Sequence, residues 1–199
     1  MTQPIILASA SAARAKMLRD AGVAVEVAAA RVDEAAIKAA MLAEGADARE
    51  IADTLAEMKA RRVAAKHPQR LVLAADQVLV CNKTMFDKPE TLDQAREQLK
   101  ALRGQTHELL SAAVIYENGE PVWRHIGRAQ LIMRPFTDVF LETYITAQKD
   151  DLFTTVGCYK LEGMGAQLFS RVQGDYFTVL GLPLLEVLGF LRTRGICVE

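Results

Sequence analysis

The sequence lacks the features that mark several broad classes of protein. Its 199 residues include only three cysteines. Cys81, Cys158 and Cys197 are far apart and form no C-x-x-C pair, which argues against a disulfide framework or a zinc site and fits a reducing compartment. No stretch approaches the ~18 consecutive apolar residues of a membrane span. The opening MTQPIILASASAAR lacks the basic start and long apolar run of a secretory signal. The expectation is therefore a cytoplasmic protein with no membrane partner. An excess of charge of one sign is missing too. The 24 Lys+Arg and 25 Asp+Glu leave a net charge of −1, so no global basic field advertises nucleic-acid binding. An anionic ligand would need locally placed cations. There is no G-x-x-x-x-G-K-[ST] and no complete G-x-G-x-x-G; Gly163-Met164-Gly165 falls short of both. Repeats, low-complexity segments and a clean linker are also lacking. What remains, 51% hydrophobic and 25% charged, is an ordinary globular composition. The length suffices for a sizeable core, as one large domain or two small lobes around one cleft.

The most informative stretch is Leu71–Pro89, LVLAADQVLVCNKTMFDKP. It places Asp76 inside an apolar, strand-like run, where a charge must be solvated, paired or used in chemistry. Two readings fit: a catalytic carboxylate, or a bulge or strand end with a backbone-bonded side chain. Asn82-Lys83-Thr84 reads as a hairpin turn. Lys88 precedes Pro89, which biases it to an extended conformation. It is either a positioned cation for phosphates or an exposed lysine.

Elsewhere, Pro4–Ala8 reads as a buried strand that runs into a helix capped by Ser11 and ending near Gly22. A strand leading into a capped helix start suits an anion, because first-turn N–H groups are unpaired there. Ser9 and Ser11 add hydroxyls and Arg14 adds a cation; alternatively, the serines only cap and Arg14 is solvated. Val25–Arg31 reads as a second strand. Asp33 and Glu34 then either hold a divalent cation or form the acidic first turn of a helix to Leu42. Asp47-x-x-Glu50 resembles a capping box and opens a long helix with the apolar stripe Ile51, Leu55, Met58 and Val63. Lys59 lies beside that stripe and either snorkels to water or reaches into a cleft. Thr91-x-x-Gln94 starts a helix over 92–102. Gln105–Tyr116 and Val122–Arg134 read as two long strands around Asn118-Gly119; His107 and His125 on them lack metal-ligand spacing. Thr137 caps a helix to about Ala147. Gly174-Asp175 reads as a turn between strands Gln167–Val172 and Tyr176–Leu180. Pro183 starts a closing helix through Leu184, Leu185, Leu188 and Leu191.

Taken together these segments resemble the Maf family, the septum-formation-inhibitor-like nucleotide pyrophosphatases. The resemblance rests on LASASAARAKML at 7–18, VDE at 32–34, LAEMKA at 55–60 and AADQV at 74–78. It continues with DKPETLDQA at 87–95, LRGQTH at 102–107, GCYKLEGMGA at 157–166 and GDYFTVLGLP at 174–183. Eight motifs in register cover nearly the whole chain, which implies a single domain over 1–199. The implied fold is α/β, like the inosine triphosphate pyrophosphatases: a long curved mixed sheet flanked by helices, with two lobes around a cleft.

The resemblance also implies hydrolysis of a nucleoside triphosphate between the α and β phosphates, releasing a nucleoside monophosphate and pyrophosphate with Mg²⁺ or Mn²⁺. The implied setting is clearance of non-standard nucleotides, with arrested cell division as the associated phenotype. Asp76 matches the general base. Ser9, Arg14, Lys59 and Lys88 match the residues lining the phosphate site, and Ser11 belongs to the same motif. Asp33 matches an acidic residue near the metal, with Glu34 its neighbour. Ala13, Gln77 and Glu162 stand where the thymidine- and uridine-triphosphate-preferring branch carries Arg, Thr and Gln. Gln77 and Glu162 look like the 7-methyl-GTP-preferring branch, since an anion near the base edge favours guanine donors or a cationic 7-methylguanine. The alternatives are a dTTP/UTP or ITP/XTP pyrophosphatase, or a nucleotide-binding regulator of division without turnover. The hydrophobic closing helix and hairpins suit either a homodimer or the core.

Overall fold

The computed structural model describes residues 3–197. Among these the strands are β1 (Ile5–Leu7), β2 (Val25–Val27), β3 (Val72–Cys81), β4 (Thr84–Phe86), β5 (Thr106–Glu117), β6 (Glu120–Met133) and β7 (Phe169–Gln173). The α-helices are α1 (Ala12–Asp20), α2 (Glu34–Ala43), α3 (Ala48–Ala64), α4 (Leu92–Leu102), α5 (Asp138–Ala147), α6 (Tyr176–Val179) and α7 (Leu184–Thr193). All seven strands join one sheet in the order β2-β1-β3-β5-β6-β7, with β4 paired to β3. β1 is parallel to both β2 and β3, whereas β4 and β7 run antiparallel to β3 and β6. The expected α/β class with a mixed sheet is thus observed. Parallel neighbours need crossover connections, which α1 supplies between β1 and β2, and α2 with α3 between β2 and β3.

Local chemistry explains most element boundaries. Ser11, Asp33, Asp47, Thr91 and Thr137 each accept a backbone N–H at a helix start. Asn82 and Lys83 take φ of 49° and 65°, and Asn118 and Gly119 take 53° and 84°. Those pairs suit the two-residue turns that join β3 to β4 and β5 to β6. β2 is shorter than expected, because the last backbone bond along it joins Ala28 N–H to Leu7 O and β1 ends there.

The chain divides into two compact units. The first comprises the described parts of 1–77, 111–127 and 176–199. Its core gathers Leu7, Leu18, Leu73, Ile115, Leu182 and Leu191. α3 buries Ile51, Leu55 and Val63 together with alanines 52, 56, 60 and 64. Met58, expected in that stripe, is 41% exposed: small alanines let the helix face turn past it. Leu185 is likewise 55% exposed, since α7 turns Leu184, Val187 and Leu191 inward.

The second unit comprises 78–110 and 128–175. His107 is buried there, its Nε2 2.8 Å from the Tyr159 hydroxyl, and Tyr159 meets Phe169 edge-on at 4.8 Å. The Tyr144 hydroxyl donates to the Cys158 carbonyl at 3.0 Å. Gly157 adopts φ +78°, and an added Cβ would lie 2.6 Å from Leu79 Cδ1. Burial pushes the His107 imidazole down to about 4 and the Cys158 thiol up to about 12. It raises the Tyr144 and Tyr159 phenols as well. This is an uncharged knot.

The hairpin expected across Gly174-Asp175 is not formed. Residues 164–168 make a 3₁₀ turn, β7 follows, and Tyr176–Val179 is helical. Gly174 (φ +119°) sits so close to the next strand that a Cβ would meet the Arg128 carbonyl at 2.8 Å. Beyond it, Leu180 N–H bonds to Tyr176 O, a helical contact that overrides the strand-like composition.

Candidate active site

Asp76 lies in the middle of β3 rather than at a strand end, and is 7% exposed. Successive strand residues face opposite ways, so Asp76 and Gln77 serve different faces. On the Asp76 side is α3. Lys59 belongs to its buried stripe, at 8% exposure, and reaches inward rather than snorkelling. Its Nζ lies 2.6 Å from Asp76 Oδ1 and 2.9 Å from Glu34 Oε1. Burying two opposite charges is costly unless they are paired with good geometry; here one ammonium serves two carboxylates. The contact with Lys59 engages Oδ1 of Asp76.

The β1–α1 connection supplies a second cation. Ser11 Oγ accepts from Arg14 N–H at 3.3 Å, capping α1. Ser9 is buried, and its Oγ accepts from Ser11 N–H and from Arg14 Nη1, both at 3.2 Å. Arg14 Nη1 also donates to Ala75 O at 2.9 Å, and Nε donates to Gly181 O at 2.7 Å. The guanidinium therefore fastens the β1 turn to β3 and to the turn before α7. Gly181 (φ +100°) permits this approach, since a Cβ would lie 3.3 Å from Nη2. Burial pulls the Arg14 guanidinium below its ordinary value, opposed by the nearby Asp76 and Glu34 charges. Arg14 thus shares the field of the Lys59 cluster.

Asp33 and Glu34, adjacent in sequence, have separate jobs. Asp33 Oδ1 accepts from Ala36 N–H at 3.0 Å and caps α2. Glu34 turns to Lys59. No group of three His, Cys, Asp or Glu side chains that could hold a metal is present among the described residues. The oxygens of Asp76 and Glu34 nevertheless suit a hard cation such as Mg²⁺, which keeps several waters and takes one or two carboxylates plus substrate phosphates rather than an all-protein cage. The donor set fits an ion shared with the ligand.

Gln77, on the opposite face, is tied into the first unit. Its Nε2 lies 2.9 Å from Ser111 Oγ and 3.1 Å from the carbonyls of Thr178 and Val179. Ala13 is half-buried in the first turn of α1. Lys88 and Glu162 belong to the second unit, and both are exposed: Lys88 between β4 and α4, Glu162 in the turn before Gly163. The structure thus joins Glu34, Lys59 and Asp76 in one ion-pair group and Ser9 with Arg14 in a hydrogen-bonded group that feels its charge, with Ser11 and Asp33 as helix caps. Gly181 and Ser111 escaped the sequence reading. Gly181 sits in the LGLP run, whose glycine signalled a turn but no partner; a lone buried serine carries no sequence signal.

A family model described as "Maf-like protein" matches residues 4–194. Curated relatives named "Nucleoside triphosphate pyrophosphatase" include one from Ruegeria pomeroyi, 52% identical over 196 residues and covering 98% of each chain. Another, from Roseobacter denitrificans, is 53% identical with 98% of each chain covered. A third, from Caulobacter vibrioides, is 50% identical with 96% of each covered. Among solved structures, a HAM1 protein from Coxiella burnetii aligns with a TM-score of 0.45 at 15% identity, over 68% of this chain and 75% of that one.

Proposed function

This chain belongs to the Maf family, and we propose that it is a nucleoside triphosphate pyrophosphatase, a hydrolase of acid anhydrides. The carrying observation is the buried Asp76, held through Oδ1 by Lys59 at 2.6 Å. A water beside Oδ2 is oriented by that carboxylate and attacks the α-phosphorus. Its proton passes to Asp76, the bond from the α-phosphorus to the bridging oxygen breaks, and pyrophosphate leaves. Negative charge develops on the non-bridging and leaving oxygens, where fixed cations and helix-terminal N–H groups are worth most. Lys59 and Arg14 carry that positive charge, and Ser9 and Ser11 keep the α1 start in shape for an anion. Asp76 and Glu34 would hold a Mg²⁺ or Mn²⁺ ion, which supplies Lewis-acid neutralisation of the phosphates.

The finer assignments follow the family resemblance. Lys88 contacts substrate phosphate, and Ala13, Gln77 and Glu162 bear on the choice of base. We favour a modified guanine nucleotide, 7-methyl-GTP, because Glu162 replaces a neutral amide with an anion. Residues 1–199 act as one functional domain in the cytoplasm, and any effect on division follows from nucleotide turnover.

A nucleotide panel tests this reading: 7-methyl-GTP, dTTP, UTP, ITP and XTP, with Mg²⁺ or Mn²⁺ and with chelator. Pyrophosphate release that chelation abolishes is expected. No release from any nucleotide would overturn the enzymatic reading. Glu162→Gln should demote 7-methyl-GTP in the ranking, and an unchanged ranking would remove Glu162 from base selection.

A further inference from the structure

A cavity of about 420 Å³ opens in the first unit between the segment after β2 and the end of α3. Its polar lining is Arg31, Arg62, Lys66 and His67, set against alanines 28–30. None of these four side chains has a hydrogen bond or ion pair among the described residues. Three other cations of this unit are committed: Arg70 to Glu26 and the Pro4 carbonyl, Arg124 to Asp53 and Glu57, Lys16 to Asp20; what sets the cavity apart is the convergence of cations from two segments on one space. In a chain of net charge −1, a cavity lined by three permanent cations and no carboxylate is an unbalanced field. Arg62 lies in the last turn of α3, where a cation also suits the helix dipole. That accounts for Arg62 but not for Arg31, which comes from a different segment. The backbone N–H groups of Ala29, Ala30 and Arg31 also donate to nothing among the described residues.

We propose that this cavity, whose lining shares no residue with the Asp76 cluster, is an anion site for an oligophosphate. Guanidinium forks bind pairs of phosphate oxygens. A monocarboxylate would neutralise only one of the three cations, whereas the charge on a diphosphate approaches theirs. The volume lies within the range of small-molecule sites, ~300–1,000 Å³. The ligand is either free pyrophosphate or the phosphate chain of a nucleotide.

The test uses the full chain in chelator, so binding is read without turnover and independently of the catalytic reading. Inorganic pyrophosphate is titrated while the three histidine imidazoles are followed by NMR. The expected result is that His67 resonances move and saturate while His125 stays still. The charge reversal Arg62→Glu with Lys66→Glu, both exposed positions, should weaken the His67 response at least tenfold with unchanged thermal melting. Repeating the titration with an α,β-methylene nucleotide distinguishes the sources: the tighter of the two is the ligand. A His67 signal that ignores both anions, a response of equal affinity in the double variant, or equal affinity for sulfate at matched ionic strength would overturn the proposal.

Discussion

Two buried polar groups, one in each unit, make opposite use of burial. Around Asp76 the first unit buries charge: one ammonium, one guanidinium and a carboxylate, with a second carboxylate at the rim. Around His107 the second unit buries neutral polar groups, and burial itself keeps them neutral. Charge kept at low exposure costs stability and is retained where its field has work to do. A neutral, hydrogen-bonded knot fixes side-chain packing and offers no comparable field. The contrast separates a site for chemistry from a site for folding, and it can be broken at either end.

The largest effect is expected at Lys59. Lys59→Met leaves Asp76 buried and unpaired, which should cost about 3–5 kcal/mol in denaturant unfolding and abolish turnover. Adding Asp76→Leu should restore most of that stability and none of the activity. If Lys59→Met were neutral for stability, the buried pairing would be wrong.

The next effect is at His107, through pH. Its folded value of about 4 lies below the ordinary ~6.5, so the unfolded chain takes up the proton first. The contribution is complete above pH ~6.5 and is lost as pH falls toward 4, at about 1.4 kcal/mol per unit and ~3 kcal/mol in all. His107→Gln should flatten that part of the stability-against-pH curve and leave turnover at neutral pH intact. A curve as steep as that of the parent would place the titration elsewhere.

A smaller effect is expected at Gly157, beside the neutral knot. With φ +78° and Leu79 Cδ1 2.6 Å from a built Cβ, Gly157→Ala should lower stability by about 1–3 kcal/mol. Specific activity per folded molecule should not change. A fall in activity at full stability would make the neutral knot more than a folding device.

Much of this was legible in the sequence where the deciding chemistry is local. The caps at Ser11, Asp33, Asp47, Thr91 and Thr137 and the turns at Asn82-Lys83 and Asn118-Gly119 each depend on neighbouring residues. Lys59 and Asp76 were visible as charges in apolar runs, but their pairing was not, because it is set by how α3 lies on β3. Asp33 and Glu34 looked like one acidic pair; helix geometry sends one to the cap and the other to Lys59. The segment 176–180 looked like a strand because aromatic and β-branched residues suit one. A close backbone approach at Gly174 and i→i+4 bonding decided otherwise. Gly181 became the acceptor for Arg14 only through a contact 167 residues away in sequence.

The most direct measurement pairs turnover with thermal melting in Asp76→Asn. In the variant Lys59 keeps Glu34 as a partner at 2.9 Å, so the midpoint should stay within about 4 °C of the parent. Pyrophosphate release should fall by roughly 10²–10⁴-fold, the contribution of a positioned general base. Turnover equal to that of the parent, or a loss of turnover explained by unfolding, would contradict the account.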